Sequence, residues 1–235
     1  CEIMWRDSAH LLEEEAERAN RKGYSKHKPA KPLYGQDDVE RALDLVNTVH
    51  FDKEVEIAKG ITAKFIHAGH ILGAAQLQLN VNGKVIHFSG DLGREGDPLL
   101  NPPAPLAECD ILVTESTYGD KAHPKVDPEL ELKPVLKKVL ERGGTVVIPA
   151  FAVDRTEVIL LKLRELIDAK KVPNVPIYVD SPMALTALNY YREAVSGESD
   201  EIRPGAHEKW HDQDPFDTVT SKRGGAHHPS RFINL

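Results

Sequence analysis

Asn82-Gly83, set between the runs 76–81 and 84–88, constrains this chain more than any other feature. Both residues accept positive φ, which a two-residue turn between antiparallel strands requires, so the flanking runs are predicted to pair as a hairpin. The apolar periodicity agrees. Leu77, Leu79 and Val81 alternate with polar neighbours, as do Ile61, Ala63 and Phe65 upstream, and residues 55–89 therefore read as strand territory. Residues 110–114 predict one more short apolar strand.

Helices flank this region. Asp7-Ser8 supplies a cap for a helix running to about Lys22, with Gly23 as its stop, and Asp37-Asp38 opens a second helix with Val39, Ala42, Leu43 and Val46 on one side. After Pro124 the pattern changes to an alternation: a helix over 128–142, a buried strand over 145–148, a helix capped by Asp154 to about Lys170, a strand over 176–179, and a helix begun by Ser181-Pro182. Strands alternating with helices imply a parallel βαβ sheet. The chain is thus expected to be α/β, with a hairpin-rich part over 1–124, a doubly wound part over 125–220 and an irregular tail over 221–235. Past Val195 the sequence predicts no regular element.

Several classes of function are disfavoured. The longest apolar stretches, 146–148 and 158–161, are far shorter than the roughly 20 residues that span a bilayer, so no membrane partner is expected. Cys1 and Cys109 belong to no CxxC pair, which removes a disulfide framework and a zinc ribbon and leaves a reducing, cytoplasmic setting as the default. No charged head precedes an apolar core, and no signal peptide is expected. A net charge of −7 argues against coating nucleic acid by overall attraction, though not against a local site. Arg21, Lys22, Lys26, Lys28 and Lys31, with His27, either contact phosphate or form a solvated loop after a helix. A homo-oligomer is compatible with the sequence.

Three segments carry the chemistry: Ala68-Gly69-His70-Ile71-Leu72-Gly73-Ala74, Ser89-Gly90-Asp91-Leu92-Gly93-Arg94 and Thr114-Glu115-Ser116-Thr117-Tyr118-Gly119-Asp120. Each sets an ionisable side chain among small residues just after a strand-like run, where a turn can direct it into a cleft. Taken singly, His70 reads as a loop or core histidine, Asp91 as a turn former and Glu115 as a strand-end carboxylate. Jointly, one imidazole and two carboxylates at successive strand ends form a metal-site pattern, and zinc accepts both donor types.

In this order the three segments resemble the third and fourth metal motifs of the metallo-β-lactamase fold, followed by the first motif of its β-CASP branch, a family of RNA-processing nucleases that includes RNase J and the endonuclease subunit of pre-mRNA cleavage. Ile148-Pro149-Ala150-Phe151-Ala152-Val153-Asp154-Arg155 and Pro176-Ile177-Tyr178-Val179-Asp180-Ser181-Pro182-Met183-Ala184 resemble the cap domain of those enzymes. The resemblance covers about residues 1–195. It implies part of an αββα sandwich followed by part of a doubly wound β-CASP cap, an RNA substrate, and two zinc ions in the full-length enzyme. His70 would ligate one zinc, Asp91 would bridge both, and Glu115 would hold a histidine from further along the chain as proton donor to the leaving group.

The sequence departs from that family in two respects. The His-x-His-x-Asp-His motif is absent, and the neighbours of His207, His211, His227 and His228 match no family motif, so no role is assigned to them. A chain cut at both ends, binding zinc poorly and largely inactive alone, is the simplest expectation. The alternatives are a catalytically dead scaffold subunit and a hydrolase of small thioesters or lactams; the cap-like segments disfavour the latter.

Overall fold

The computed structural model describes residues 1–122, 127–197, 199–210, 213–217 and 219, which form two compact units, Cys1–Thr48 and Val49–Leu235. The expected tail over 221–235 lies outside the described residues, as do His211, His227 and His228.

The first unit is a helical pair, α1 (Glu2–Lys22) and α2 (Gln36–Leu43). Helix α1 begins at Glu2, a turn before the expected Asp7-Ser8 cap, because the preceding residues are competent helix formers and Arg6 pairs with Glu2 one turn back at 3.0 Å. Ser8 instead meets the Tyr34 hydroxyl at 2.6 Å. The stop is as expected: Gly23 is left-handed at φ 67° and its N–H caps the Ala19 carbonyl. Ala9, Ala16 and Ala19 form a buried stripe at helical spacing, and their small side chains let α2 approach closely enough for Gln36 Nε2 to reach the Arg6 carbonyl at 2.7 Å. In α2, Asp38 accepts the Gly35 N–H at 2.9 Å, but the helix ends at Leu43, so Val46 does not share its apolar face. The basic residues from Arg21 to Lys31 are exposed, Arg21 and Lys22 in the last turn of α1 and the rest in a loop whose Ala30 is pinned at both N–H and C=O by Asn20.

The second unit contains a mixed five-stranded sheet in the order β1 (Glu54–Ala58), β2 (Ile61–His67), β3 (Ala75–Val81), β4 (Lys84–Phe88) and β5 (Ile111–Val113). The first four strands are an antiparallel meander. Asn82 and Gly83 both have positive φ, 51° and 88°, and Val81 faces Lys84 across the turn, as the sequence requires. Strand β5 runs parallel to β4, anchored at its start by Asp110, whose carboxylate accepts the Val85 N–H and Lys84 Nζ, each at 2.8 Å.

Four helices follow: α3 (Pro128–Leu140), α4 (Arg155–Asp168), α5 (Pro182–Ser196) and α6 (Pro204–Trp210). Their shared core includes Leu136, Leu160, Leu163, Leu188, Tyr191 and Phe216, together with Leu99 and Leu100 from before α3. Asp127 and Ser181 cap α3 and α5 through their side chains. Asp154 occupies the N-cap position of α4 but makes no cap hydrogen bond; its carboxylate turns inward.

Two expected strands differ. Residues 145–148 join no ladder among the described residues, although Val146 and Ile148 pack on the core while Val147 is 63% exposed. Period-two burial, which the sequence encodes, is kept without the hydrogen-bonded neighbour that would make it a strand. Residues 176–179 contribute one parallel bridge, Ile177 to Val219. Helix α6 was not expected; Pro204 in its first turn, with Ala206 and Trp210 buried four residues apart, is the signal for it.

Candidate active site

Sheet topology gathers the three marked segments. Strands β2 and β4 are both antiparallel to β3, and β5 is parallel to β4, so β2, β4 and β5 all end at the same edge of the sheet. Residues 68–74 leave β2 there, 89–94 leave β4 and 114–120 leave β5.

Hydrogen bonds then lock the loops together. The Gly93 N–H donates to the Ala68 carbonyl at 2.8 Å. A Cβ on Gly93 would overlap the Gly69 carbonyl oxygen and stand 2.8 Å from the His70 nitrogen, so this backbone-to-backbone approach needs glycine. Between the second and third loops, Ser89 N–H donates to the Val113 carbonyl at 2.9 Å, and Ser89 Oγ accepts the Glu115 N–H at 3.0 Å while donating to the Gly90 carbonyl. Returning across the gap, the Glu115 carboxylate accepts the Leu92 N–H at 2.8 Å.

His70 and Asp91 are exposed at this edge, and Glu115 is half-buried. The Leu92 N–H, then Thr117, hold the Glu115 carboxyl below its usual range, with a smaller contribution from the nearby His70 imidazole; burial opposes them without winning. Glu115 is therefore an ionised acceptor at neutral pH. It is fixed on one oxygen by a backbone donor and lies within electrostatic reach of His70.

The donors present suit zinc, but their number does not complete a site. Zinc takes three or four protein ligands in structural and catalytic centres. Among the described residues no group of three or more His, Cys, Asp or Glu side chains is gathered closely enough to hold a metal ion. His207 is engaged elsewhere: its ring nitrogens face the Val195 and Ser199 carbonyls at 2.8 and 2.9 Å, tying α5 to the start of α6.

Sequence reasoning missed the support beneath the His70 loop. Leu72 N–H points at the Tyr191 hydroxyl at 3.4 Å, and Gly73 N–H donates to Glu201 Oε2 at 2.6 Å. Tyr191 Oη in turn donates to Asp154 Oδ1 at 3.2 Å. Asp154 lies at φ 66°, a left-handed value that a non-glycine residue adopts at a cost, which is a local signal only after the backbone is known.

No protein-family model matches the chain. Individual proteins do. The chain is 36% identical over 174 residues to Ribonuclease TTHA0252 of Thermus thermophilus, a match covering 73% of this chain and 39% of that protein. It is 35% identical over 185 residues to an RNase J-like protein of Methanocaldococcus jannaschii, covering 77% of this chain and 39% of the relative. With the cleavage and polyadenylation specificity factor subunit 3 of Dictyostelium discoideum it shares 33% identity over 174 residues, covering 73% and 22%. The chain thus spans about two fifths or less of the length of these relatives.

Proposed function

The chain belongs to the β-CASP nuclease family, and from that premise we propose that it forms part of a zinc-dependent hydrolase that cleaves RNA phosphodiester bonds. The observation that carries this reading is the joining of three loops at one sheet edge, through Gly93 to Ala68 and through Glu115 to Leu92 and Ser89. On this reading residues 1–124 are part of a metallo-β-lactamase-like αββα sandwich, and residues 125–220 part of a β-CASP cap.

Each side chain then has a distinct task. His70 offers a neutral ring nitrogen, and Asp91 two carboxylate oxygens able to bridge a zinc pair. Glu115, held by the Leu92 N–H and by Thr117, would orient a histidine supplied, like the remaining zinc ligands, by other parts of the full-length gene product. Bound zinc would acidify a water and neutralise charge on the attacked phosphate. With two ligands of its own, this chain alone holds zinc weakly and cleaves RNA slowly or not at all. The same reading includes a reducing, cytoplasmic setting. Among the described residues no helix is long and apolar enough to cross a membrane.

The test is RNA cleavage by the full-length gene product, with Asp91→Ala beside it. Cleavage that disappears in the variant while its far-ultraviolet circular dichroism is unchanged supports the assignment. A full-length protein inactive on RNA in the presence of zinc, or an Asp91→Ala variant with wild-type turnover, overturns it.

A further inference from the structure

The loop from Ala68 to Ala74 is closed on itself by two backbone hydrogen bonds, Ala68 N–H to the Ala74 carbonyl at 3.1 Å and Ala74 N–H to the Ile71 carbonyl at 3.0 Å. That closure shapes the loop but does not fix its position above the rest of the unit. The Gly93 N–H on the Ala68 carbonyl holds its start, and the rest is held from below. The backbone N–H groups of Leu72 and Gly73, two and three residues after His70, point away from the loop at acceptors more than a hundred residues further along: the Tyr191 hydroxyl and the Glu201 carboxylate.

Both acceptors are themselves held. Tyr191 is almost wholly buried in the helical core, and its single hydroxyl proton goes to Asp154 Oδ1 at 3.2 Å, which leaves a lone pair for Leu72. Asp154 does not cap its own helix and sits at a left-handed φ of 66°, so the local geometry of α4 gives up a cap to keep this carboxylate facing Tyr191. Glu201 is held by its backbone: the Asn101 N–H donates to the Glu201 carbonyl at 2.8 Å, and Asn101 Nδ2 donates to the Asp200 carbonyl at 2.7 Å. The same segment presses on the loop from the other side, since a Cβ on Gly69 would lie 2.9 Å from the Pro102 carbonyl carbon.

We propose that Tyr191 and Glu201 are positioning residues for His70, which fix the imidazole by holding the backbone amides of Leu72 and Gly73, two and three residues further on. The proposal deepens the zinc-hydrolase reading and rests on it for the use of His70, but the positioning itself is a property of this chain. The hydroxyl of Tyr191 and the carboxylate of Glu201 set the height and tilt of the loop, and Asp154 sets the direction of the hydroxyl. Loss of such outer support typically weakens metal affinity or activity about 10- to 100-fold while the ligand itself remains.

The test uses the isotope-labelled 235-residue chain. In Tyr191→Phe the Leu72 amide exchanges with solvent about ten-fold faster or more, in Glu201→Ala the Gly73 amide does so, and both variants shift the His70 ring resonances. Glu201→Gln, which keeps an acceptor oxygen, restores the wild-type pattern, and the amides of β3 keep their protection in all variants. In the full-length protein the same two losses lower kcat about 10- to 100-fold at nearly constant KM for RNA. Unchanged Leu72 and Gly73 exchange with unmoved His70 resonances overturns the proposal whatever the activity. Absence of RNA cleavage by the wild-type full-length protein overturns the functional reading instead, because the exchange and resonance measurements need neither zinc nor substrate.

Discussion

The Leu92 amide and the Glu115 carboxylate, 23 residues apart in sequence, meet at 2.8 Å across the edge where β4 and β5 end. This bond fixes the Asp91 turn relative to the third loop, because Asp91 immediately precedes the donor. It also makes Glu115 a stronger acid than a free glutamate.

Glu115 therefore titrates below its ordinary 4.5, the Leu92 bond being the main cause. A carboxyl whose folded value is depressed contributes stability above the unfolded value, and that contribution is lost as pH falls through the folded value. Carboxyl-carbon resonances of the chain followed from pH 7 to pH 2 are expected to give Glu115 a midpoint below 4.5, moving upward in Thr117→Val, which removes the Thr117 hydroxyl donor. A midpoint at or above 4.5 in the wild type contradicts the hydrogen-bonded geometry.

Gly93→Ala tests the contact between the first two loops. Its added methyl would meet backbone on the far side, at Gly69 and His70, where no side chain can swing away. Overpacking of this kind costs about 1–3 kcal/mol, and urea unfolding of the chain should show a midpoint lowered accordingly. Gly96→Ala is the control. Gly96 has no atom within 4 Å of its would-be Cβ and no positive φ, so its alanine variant should fall within about 0.5 kcal/mol of wild type.

What could be read in advance was what depends on short stretches of chain. Asn82-Gly83 specifies its turn through two φ angles, Gly23 its stop through one, and Ser181 its cap through one side chain, and all three stand where the sequence puts them. The gathering of His70, Asp91 and Glu115 at one edge follows from strand order, which the spacing of three loops only suggests. Residues 145–148 show the limit from the other side: Val146 and Ile148 turn inward as a strand's would, but pairing depends on a neighbour that no local pattern reveals. Tyr191 and Glu201 were illegible for a related reason. Their role is to meet amides at Leu72 and Gly73 more than a hundred residues away, and nothing around either residue distinguishes it from an ordinary helix or turn position.

Glu157 makes stability depend on pH. It is fully buried on α4, and neither carboxylate oxygen has a hydrogen-bond partner among the described residues. Burial pushes its carboxyl up from 4.5 to about 8 against the opposing backbone at Glu157, and the nearby charge of Asp154 adds a smaller upward push. A raised folded value contributes stability that is fully present below pH 4.5 and is lost as pH rises to about 8. Between these limits the chain should lose roughly 1 kcal/mol of stability per pH unit from this residue. Urea unfolding at pH 6, 7 and 8, above the range in which the Asp154 contribution declines, should show that decline, and Glu157→Gln, which stays neutral throughout, should flatten it. An equally steep decline in the variant would assign the dependence to another group.

Asp154 separates stability from positioning. Burial and the charge of Asp97 raise its carboxyl to about 6, against the pull of Tyr191, Arg155 and Arg94, so its favourable contribution is present below its ordinary 3.8 and lost by about pH 6. At pH 7.5 the wild type thus carries both an ionised, buried carboxylate and a strained positive φ of 66°. Asp154→Gly relieves both burdens, since glycine accepts that φ freely, and thermal unfolding at pH 7.5 should show a protein at least as stable as wild type. The same variant removes the acceptor that directs the Tyr191 hydroxyl, so the Leu72 amide should exchange faster although the fold is no weaker. Asp154→Asn keeps an acceptor oxygen, tolerates positive φ and cannot ionise; it should gain stability at pH 7.5 and retain the slow Leu72 exchange. Slow exchange at Leu72 in the glycine variant would mean that Tyr191 holds its orientation without Asp154, and the carboxylate would then be strain without a positioning role.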